Sequence, residues 1–371
     1  MANIVLDKLV KRFGKQVAVN ELSLDIKDKE FVAILGPSGC GKTTTMNMIS
    51  GLLKPDAGTV QFDGKIMNSM PPGKRGVGFM FQNYAVFTFL SVYDNIAFGL
   101  RIRKMGNDQI DKEVREVARL LQIRHLLSMP ASKLSINDMQ RVALARSMVV
   151  KPQIFLLDEP LSNLDAALRN VMRAELKRIQ QELGQTTVYV THDQVEAMSL
   201  ANKIAVMNFA VLQQYDSPHN IYNRPKNLFV ANFIGSPTIN FFDGSYKGGT
   251  FSLSDFSNGK LTVSKENKKM VDEKVKGEDV VLGIRPEHLK LGGDKDKNST
   301  NLQAKVVSFE PLGSKTIVYL YPNGNPGLIL KSSMDSDYKP RIGDVKNLVF
   351  EEKNLYLFDK SSTNLIFRFG S

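Results

Sequence analysis

The segment Gly36-Pro37-Ser38-Gly39-Cys40-Gly41-Lys42-Thr43 constrains the fold of this chain more than any other stretch. It is an uninterrupted G-x-x-x-x-G-K-[ST], and it follows directly on the apolar run Phe31-Val32-Ala33-Ile34-Leu35. A strand, a glycine-rich loop and a helix in that order turn backbone N–H groups onto a phosphate chain, with the positive end of the helix dipole behind them. Lys42 can then reach the β and γ phosphates, and the Thr43 hydroxyl, with Thr44 beside it, is placed to serve Mg²⁺. The segment marks a nucleoside triphosphate site. Cys40 within it reads as a small space-filler, since no activating group stands near it in sequence. Its thiol is expected to be open to reagents and shielded by bound nucleotide.

A second apolar run, Ile154-Phe155-Leu156-Leu157, ends in Asp158-Glu159. Asp158 at the strand end suits a metal held through water, and Glu159 suits polarising or deprotonating the attacking water. Thr191-His192-Asp193 follows Val188-Tyr189-Val190, and Gln82 follows Val77-Gly78-Phe79-Met80-Phe81. All of these fall at carboxyl ends of strands, where open α/β sheets bind ligands. Taken singly, an Asp-Glu pair or a lone histidine at a strand end is weak evidence. With the phosphate loop they make a site for hydrolysis of the γ-phosphate.

Over about 240 residues short apolar runs alternate with helical patterns, which predicts strands and helices around a largely parallel sheet. In Ala166 to Leu183, Leu168, Val171, Met172, Leu176 and Ile179 recur near the helical period while charged residues fill the other face. Lys112 to Gln122 has a similar pattern. Beyond Phe241 the texture changes to Gly, Ser, Asn and Lys between short alternating stretches such as Val280 to Ile284 and Lys315 to Leu320, which predicts a barrel-like all-β domain. The boundary is expected at Gly235-Ser236-Pro237, and Lys268 to Lys276 and Gly292 to Ser299 are polar enough to be expected as loops or mobile segments.

The 371 residues suffice for two or three domains, and 42% hydrophobic content excludes a largely disordered chain. There is no run of about 18 apolar residues, and Met1 to Asp7 lacks the basic patch and apolar stretch of a signal peptide, so a cytoplasmic location is expected. The single cysteine excludes an intrachain disulfide and a cysteine-based metal cage. The net charge of +11 divides into +8 up to residue 240 and +3 after it. That balance permits nucleic acid, anionic lipid or nucleotide as partner without choosing among them.

On these motifs the chain resembles the ATPases of ATP-binding cassette (ABC) transporters over roughly residues 4 to 235, most of all the ATPase subunits of maltose-type sugar importers. The resemblance implies an α/β P-loop ATPase in 1–235, with a helical subdomain about 84–150, and an all-β regulatory domain of oligonucleotide-binding (OB) and TOBE-like folds in 236–371. Phe13 falls where that family stacks an aromatic on adenine. Gln82 matches the Q-loop, a metal ligand and contact sensor, and Thr43 and Asp158 match the remaining metal ligands. Glu159 matches the catalytic carboxylate and His192 the switch histidine. Ser162-Asn163-Leu164-Asp165 is similar to the D-loop that crosses to a partner subunit. Leu90 to Leu100 is similar to the segment that receives membrane subunits, and Ala231 to Pro237 with Gly283-Ile284-Arg285-Pro286-Glu287-His288 is similar to the entry and hallmark of the regulatory domain.

The family's Leu-Ser-Gly-Gly-Gln signature reads Leu134-Ser135-Ile136-Asn137-Asp138 here. In a closed dimer that segment caps the ATP of the opposite subunit. Ile136 and Asn137 add side chains, and Asp138 adds a charge whose repulsion from a phosphate roughly 4–8 Å away is about 2–4 kcal/mol at an effective dielectric near 20. Ser135 to Asp138 also fits a capping box, so the helix is still expected to form. The trans contact of Ser135, Asn137 and Asp138 is then either retained and slower, or replaced by pairing with an ATPase subunit that has an intact signature. Met207 to Val211 stands where the family has a glycine-containing hairpin turn, and Phe87-Thr88-Phe89 replaces a more polar stretch.

The resemblance implies an ATP-hydrolysing, Mg²⁺-dependent subunit at the cytoplasmic face of the membrane, energising uptake of a sugar or other small solute. Its implied partners are a second ATPase subunit, integral-membrane permease subunits and, indirectly, an extracytoplasmic solute-binding protein, with no nucleic acid. Two alternatives remain open: an ATP-binding switch with weak hydrolysis, and a DNA-repair or translation ATPase of the same superfamily. The single cassette and the β domain oppose the second.

Overall fold

The computed structural model describes residues 2–81, 83–162, 164–275, 277–292 and 299–370. The chain divides into two compact units, Met1–Pro218 and His219–Ser371.

The first unit opens with β1 (Ile4–Phe13), β2 (Gln16–Ile26), β3 (Phe31–Leu35), α1 (Lys42–Ser50), β4 (Ala57–Phe62), β5 (Lys65–Ile66) and β6 (Val77–Met80). Helices α2 (Val92–Ile102), α3 (Asn107–Leu120) and α4 (Ile136–Met148) follow. Then come β7 (Ile154–Asp158), α5 (Ala166–Leu183), β8 (Thr186–Thr191), α6 (Gln194–Leu200), β9 (Lys203–Asn208) and β10 (Val211–Asp216).

Two sheets result. The order β10-β9-β3-β8-β7-β6 is parallel except for its antiparallel edge strand β10. Every residue of β3 and β7 is buried, which explains their apolar runs, since strands of a parallel sheet are covered on both faces. The order β2-β1-β4-β5 forms a separate antiparallel sheet that the largely parallel expectation did not include. Its apolar face shares a core with α1, where Met46 and Ile49 meet Ile4 and Leu6 of β1 and Val32 and Ile34 of β3.

The β9–β10 hairpin pairs Asn208 with Val211 across a two-residue turn, Phe209-Ala210. Both turn residues have left-handed backbones, φ 43° and 66°, which such turns require and which Asn-Gly ordinarily supplies. Phe209 is 87% exposed and gains no packing in exchange. The double substitution Phe209→Asn, Ala210→Gly is expected to stabilise the chain by about 1–2 kcal/mol through relief of this strain. A rise of the thermal midpoint supports that, and an unchanged or lower midpoint contradicts it.

The second unit contains two antiparallel sheets. One has six strands, from Asn240–Lys247 to Leu365–Arg368, and the other has five, centred on Ser299–Pro311. One expectation is corrected here: most of the stretch expected to be a loop at Lys268 to Lys276 belongs to a helix, Lys265–Lys274. Ser264 caps it, accepting the Asn267 N–H at 3.4 Å, and the fully buried Val271 anchors an otherwise polar helix. Lys276 and residues 293–298 lie outside the described residues.

Candidate functional site

Parallel pairing sets Leu35 opposite Thr191, Val190 opposite Asp158, and Leu157 opposite Met80. Strands β3, β8, β7 and β6 therefore end side by side, and the motifs that follow them share one sheet edge. Gln82, just past β6, lies outside the described residues.

The loop after β3 is wedged against neighbouring backbone. At Gly41, φ 101°, a Cβ would lie 2.2 Å from the Ala18 carbonyl oxygen, and at Gly36 it would lie 2.3 Å from that of Met207. Only glycine fits at either place. No side chain caps α1, so the N–H groups of its first turn remain available to an anion. Lys42 is buried, and its Nζ donates to the Gly36 and Pro37 carbonyls at 2.8 and 2.9 Å. An ammonium has three donors, so one is left for a phosphate. Ser38, Gly39 and Thr43 are exposed and Thr44 is half-buried.

Cys40 is only 3% exposed, and its burial raises the thiol pKa against the lowering influence of Lys42. The expected openness to thiol reagents is therefore corrected. A buried, protonated thiol is a slow nucleophile whether or not nucleotide shields it.

At the end of β7 the Thr43 hydroxyl donates to Asp158 Oδ1 at 3.3 Å. Asp158 is 3% exposed, and burial pushes its carboxyl pKa up, aided by the charge of Glu159 and opposed by the Thr43 hydrogen bond and Lys42. Glu159 turns the chain off the strand with a left-handed backbone, φ 48°, fixed by its N–H donating to the Val190 carbonyl at 3.0 Å. A non-glycine residue in that region stores strain. Glu159 Oε1 lies 3.2 Å from Nδ1 of His192. An ionised carboxylate only accepts, so this bond places a proton on Nδ1 and leaves Nε2 for a second partner.

The other expected residues are dispersed. Phe13 ends β1 with a half-exposed ring, 5.7 Å from the Lys11 ammonium. Asp165 caps α5, accepting the Leu168 N–H at 2.9 Å. Ser135 caps α4, accepting the Asp138 N–H at 3.2 Å and donating its own proton to Asp138 Oδ2 at 2.7 Å. The N-cap half of the expected capping box is formed, while Asp138 holds the Ser135 hydroxyl; Ile136 is exposed and Asn137 half-buried.

Sequence reasoning missed Glu196. It is 2% exposed and accepts the hydroxyls of Tyr189 and Thr191 at 2.8 and 2.6 Å. The available signal was its position three residues after Asp193, the cap of α6, a spacing that suggests only a capping box.

Comparisons with known proteins bear on this constellation. The ABC transporter family matches residues 19–162, the MalK OB fold domain 235–289 and the TOBE domain 282–358. The trehalose/maltose import ATP-binding protein MalK of Thermococcus litoralis is 45% identical over 377 residues, covering 99% of this chain and 100% of its own length. This chain belongs to the ABC transporter ATP-binding subunits. The sn-glycerol-3-phosphate import ATP-binding protein UgpC of Psychromonas ingrahamii is 39% identical over 99% of this chain and 96% of its own. Among solved structures, the dimeric structure of the bacterial ABC transporter cassette MJ0796 matches 58% of this chain and 98% of its own, with TM-score 0.54 and 29% identity. The same cassette in a post-hydrolysis state bound to ADP and Pi matches at 28% identity with TM-score 0.54.

As an ABC ATPase, the chain is a nucleotide-binding P-loop cassette followed by OB and TOBE folds, and it is the ATP-hydrolysing subunit of an importer. Among the described residues no helix is long and apolar enough to cross a membrane.

Proposed function

We propose that two cassettes close head to tail on ATP and that hydrolysis runs through Glu159 and His192. The observation that carries this is the Glu159–His192 pair, which joins the ends of β7 and β8 directly beside the Thr43–Asp158 contact. Lys42 and the loop amides from Gly36 to Thr44 hold the phosphates, and Phe13 offers its ring to the base. Glu159 orients the attacking water and accepts its proton, while His192 presents Nε2 to the γ-phosphate. Gln82 serves the metal and senses the partner. Catalysis is positioning plus electrostatics.

The residues present fit Mg²⁺. That ion takes hard oxygen ligands and keeps several waters. Thr43 and Asp158 supply a hydroxyl and a carboxylate side by side, and burial makes the Asp158 charge one that gains from a cation. When bound, it neutralises charge on the β and γ phosphates.

The second cassette is proposed to be a copy of this chain, with Ser135 and the first turn of α4 facing the partner's phosphate and Asp165 in the D-loop between them. A second reading is favoured by one observation: Asp138 holds the Ser135 hydroxyl and brings its charge to that surface. On that reading the partner is an ATPase subunit with an intact signature.

Membrane subunits are proposed to dock beside α2, where Phe87 packs on Phe98 at 4.8 Å between ring centroids and Phe89 is 82% exposed. Arg146 stacks on Phe87 at 4.3 Å and donates to the Ala85 carbonyl. On this reading the chain works at the cytoplasmic face of the membrane. A sugar is the first candidate for the solute, because the T. litoralis relative is a trehalose/maltose import protein. The boundary between ATPase and regulatory domain is proposed at residue 235, where the OB fold match begins, while the compact units divide earlier, after Pro218. Steady-state phosphate release with excess Mg²⁺-ATP tests the reading: sustained turnover supports it, and tight ATP binding without turnover favours the switch.

A further inference from the structure

We propose that Arg169 is the positioning residue that sets the Glu159–His192 pair, by joining the chain segments on which the two side chains stand. The inference rests on the roles assigned above to Glu159 and His192.

The contacts form a closed circuit. Ser162 donates its N–H and its hydroxyl to the Glu159 carbonyl at 3.3 and 3.0 Å, which ties the D-loop to the backbone of the catalytic carboxylate. Arg169, on the first turn of α5, then reaches back with Nη2 to the carbonyls of Leu164 at 3.0 Å and Ser162 at 3.5 Å. Its other two nitrogens face the start of α6. Nη1 lies 3.4 Å from Asp193 Oδ2, and Nε lies 3.9 Å from Glu196 Oε1. Glu196 in turn accepts the Thr191 hydroxyl at 2.6 Å, and that hydroxyl oxygen accepts the Asp193 N–H at 2.9 Å. His192 sits between Thr191 and Asp193, and its Nδ1 closes the circuit on the Glu159 carboxylate.

A planar guanidinium suits this place because its five N–H donors fan out in fixed directions, so that Nη2 serves two carbonyls while Nη1 and Nε face two different carboxylates. Three of its four contacts are long, and its Nε is buried with no hydrogen-bond partner. A shift of about 1 Å brings Nε within hydrogen-bond distance of Glu196. Arg169 is thus the joint of the circuit with most room to tighten, and movement of the D-loop by a partner subunit would reach His192 through it.

The test compares the full-length chain with Arg169→Ala and Arg169→Lys, and with Arg178→Ala as a control elsewhere on α5, whose guanidinium pairs with Glu175 and Glu182. The account predicts that Arg169→Ala lowers kcat roughly 10- to 100-fold, as a misplacement of about 1 Å does, while KM for ATP stays within about threefold. Lysine keeps the charge but not the spread of N–H donors over three nitrogens, so Arg169→Lys recovers only part of the loss, and Arg178→Ala turns over normally. Wild-type kcat in Arg169→Ala overturns the proposal. So does a loss of kcat that comes with equal losses of ATP affinity and thermal midpoint, which is the mark of a purely structural arginine. Glu159→Gln assayed in parallel separates the two layers: if it too retains turnover, the assignment of Glu159 fails, and if it alone loses turnover, only the Arg169 proposal fails.

Discussion

A chain carrying Glu159→Gln is expected to bind ATP as the wild type does and to release phosphate roughly 10²- to 10⁴-fold more slowly, the span that general acid–base groups contribute. The amide has the size and shape of the carboxylate, so the left-handed turn at φ 48° and the bond to the Val190 carbonyl persist. The amide oxygen can still accept the proton on Nδ1 of His192, which now lies 3.2 Å from Oε1. Only basicity is lost. The expected signature is therefore a change in kcat with little change in nucleotide affinity. Turnover at the wild-type rate would remove Glu159 from the chemistry, and a matching loss of ATP binding would make it a binding residue instead.

The second large effect is expected at Asp158, where stability and activity move in opposite directions. Its carboxylate is buried with one long hydrogen bond from Thr43, and burial holds its pKa above the ordinary carboxylate value. For a group whose pKa is raised by folding, the stabilising contribution is complete below the unfolded pKa and is lost as pH rises through the folded one. At neutral pH the nucleotide-free wild type bears the cost of a buried charge. Asp158→Asn removes that charge and is expected to stabilise the nucleotide-free chain by about 1–2 kcal/mol. The advantage should shrink as pH falls towards the carboxylate range, where Asp158 takes up its own proton. The same substitution removes a hard anionic oxygen from the metal-binding pair and should abolish most Mg²⁺-dependent turnover. Thermal melts across pH and phosphate release in parallel check both halves. A loss of stability at neutral pH would show that the carboxylate is a structural partner of Thr43.

The parts of the fold legible in the sequence were those whose local pattern and tertiary role agree. β3 throughout, and β7 up to its terminal Asp158, are apolar because the parallel sheet covers both faces, and each leads into a segment whose chemistry is spelled out in consecutive residues. Helix α5 ran between the predicted residues because one face packs and a left-handed Gly184 stops it. The antiparallel β1–β2 pair was not legible for an equally specific reason. Lys8 and Glu21 have left-handed backbones, φ 44° and 48°, and the register slips between Leu6 and Leu9, so the two-residue alternation is broken. The helix Lys265–Lys274 was hidden by its polarity, with one buried valine to mark its inner face.

Within the site, Lys42, Thr43, Asp158, Glu159 and His192 could be named because each follows or closes a strand of one sheet: Lys42 and Thr43 open α1 after the loop that leaves β3, Asp158 and Glu159 lie at the end of β7, and His192 comes just past β8. The supporting contacts could not. Arg169 and Glu196 meet only because α5 and α6 pack together, and nothing in either segment announces the other. Phe209-Ala210 shows the reverse: a sequence that disfavours its turn adopts it because the β9–β10 ladder dictates the register.

The most direct test of the account is the rate of phosphate release per subunit by the purified full-length chain, measured with saturating Mg²⁺-ATP over a wide range of protein concentration. If two copies close on ATP and Ser135 with its altered neighbours still completes the opposite site, the rate per subunit climbs with concentration and then levels off. A rate that stays near zero at every concentration while ATP remains bound would contradict the account.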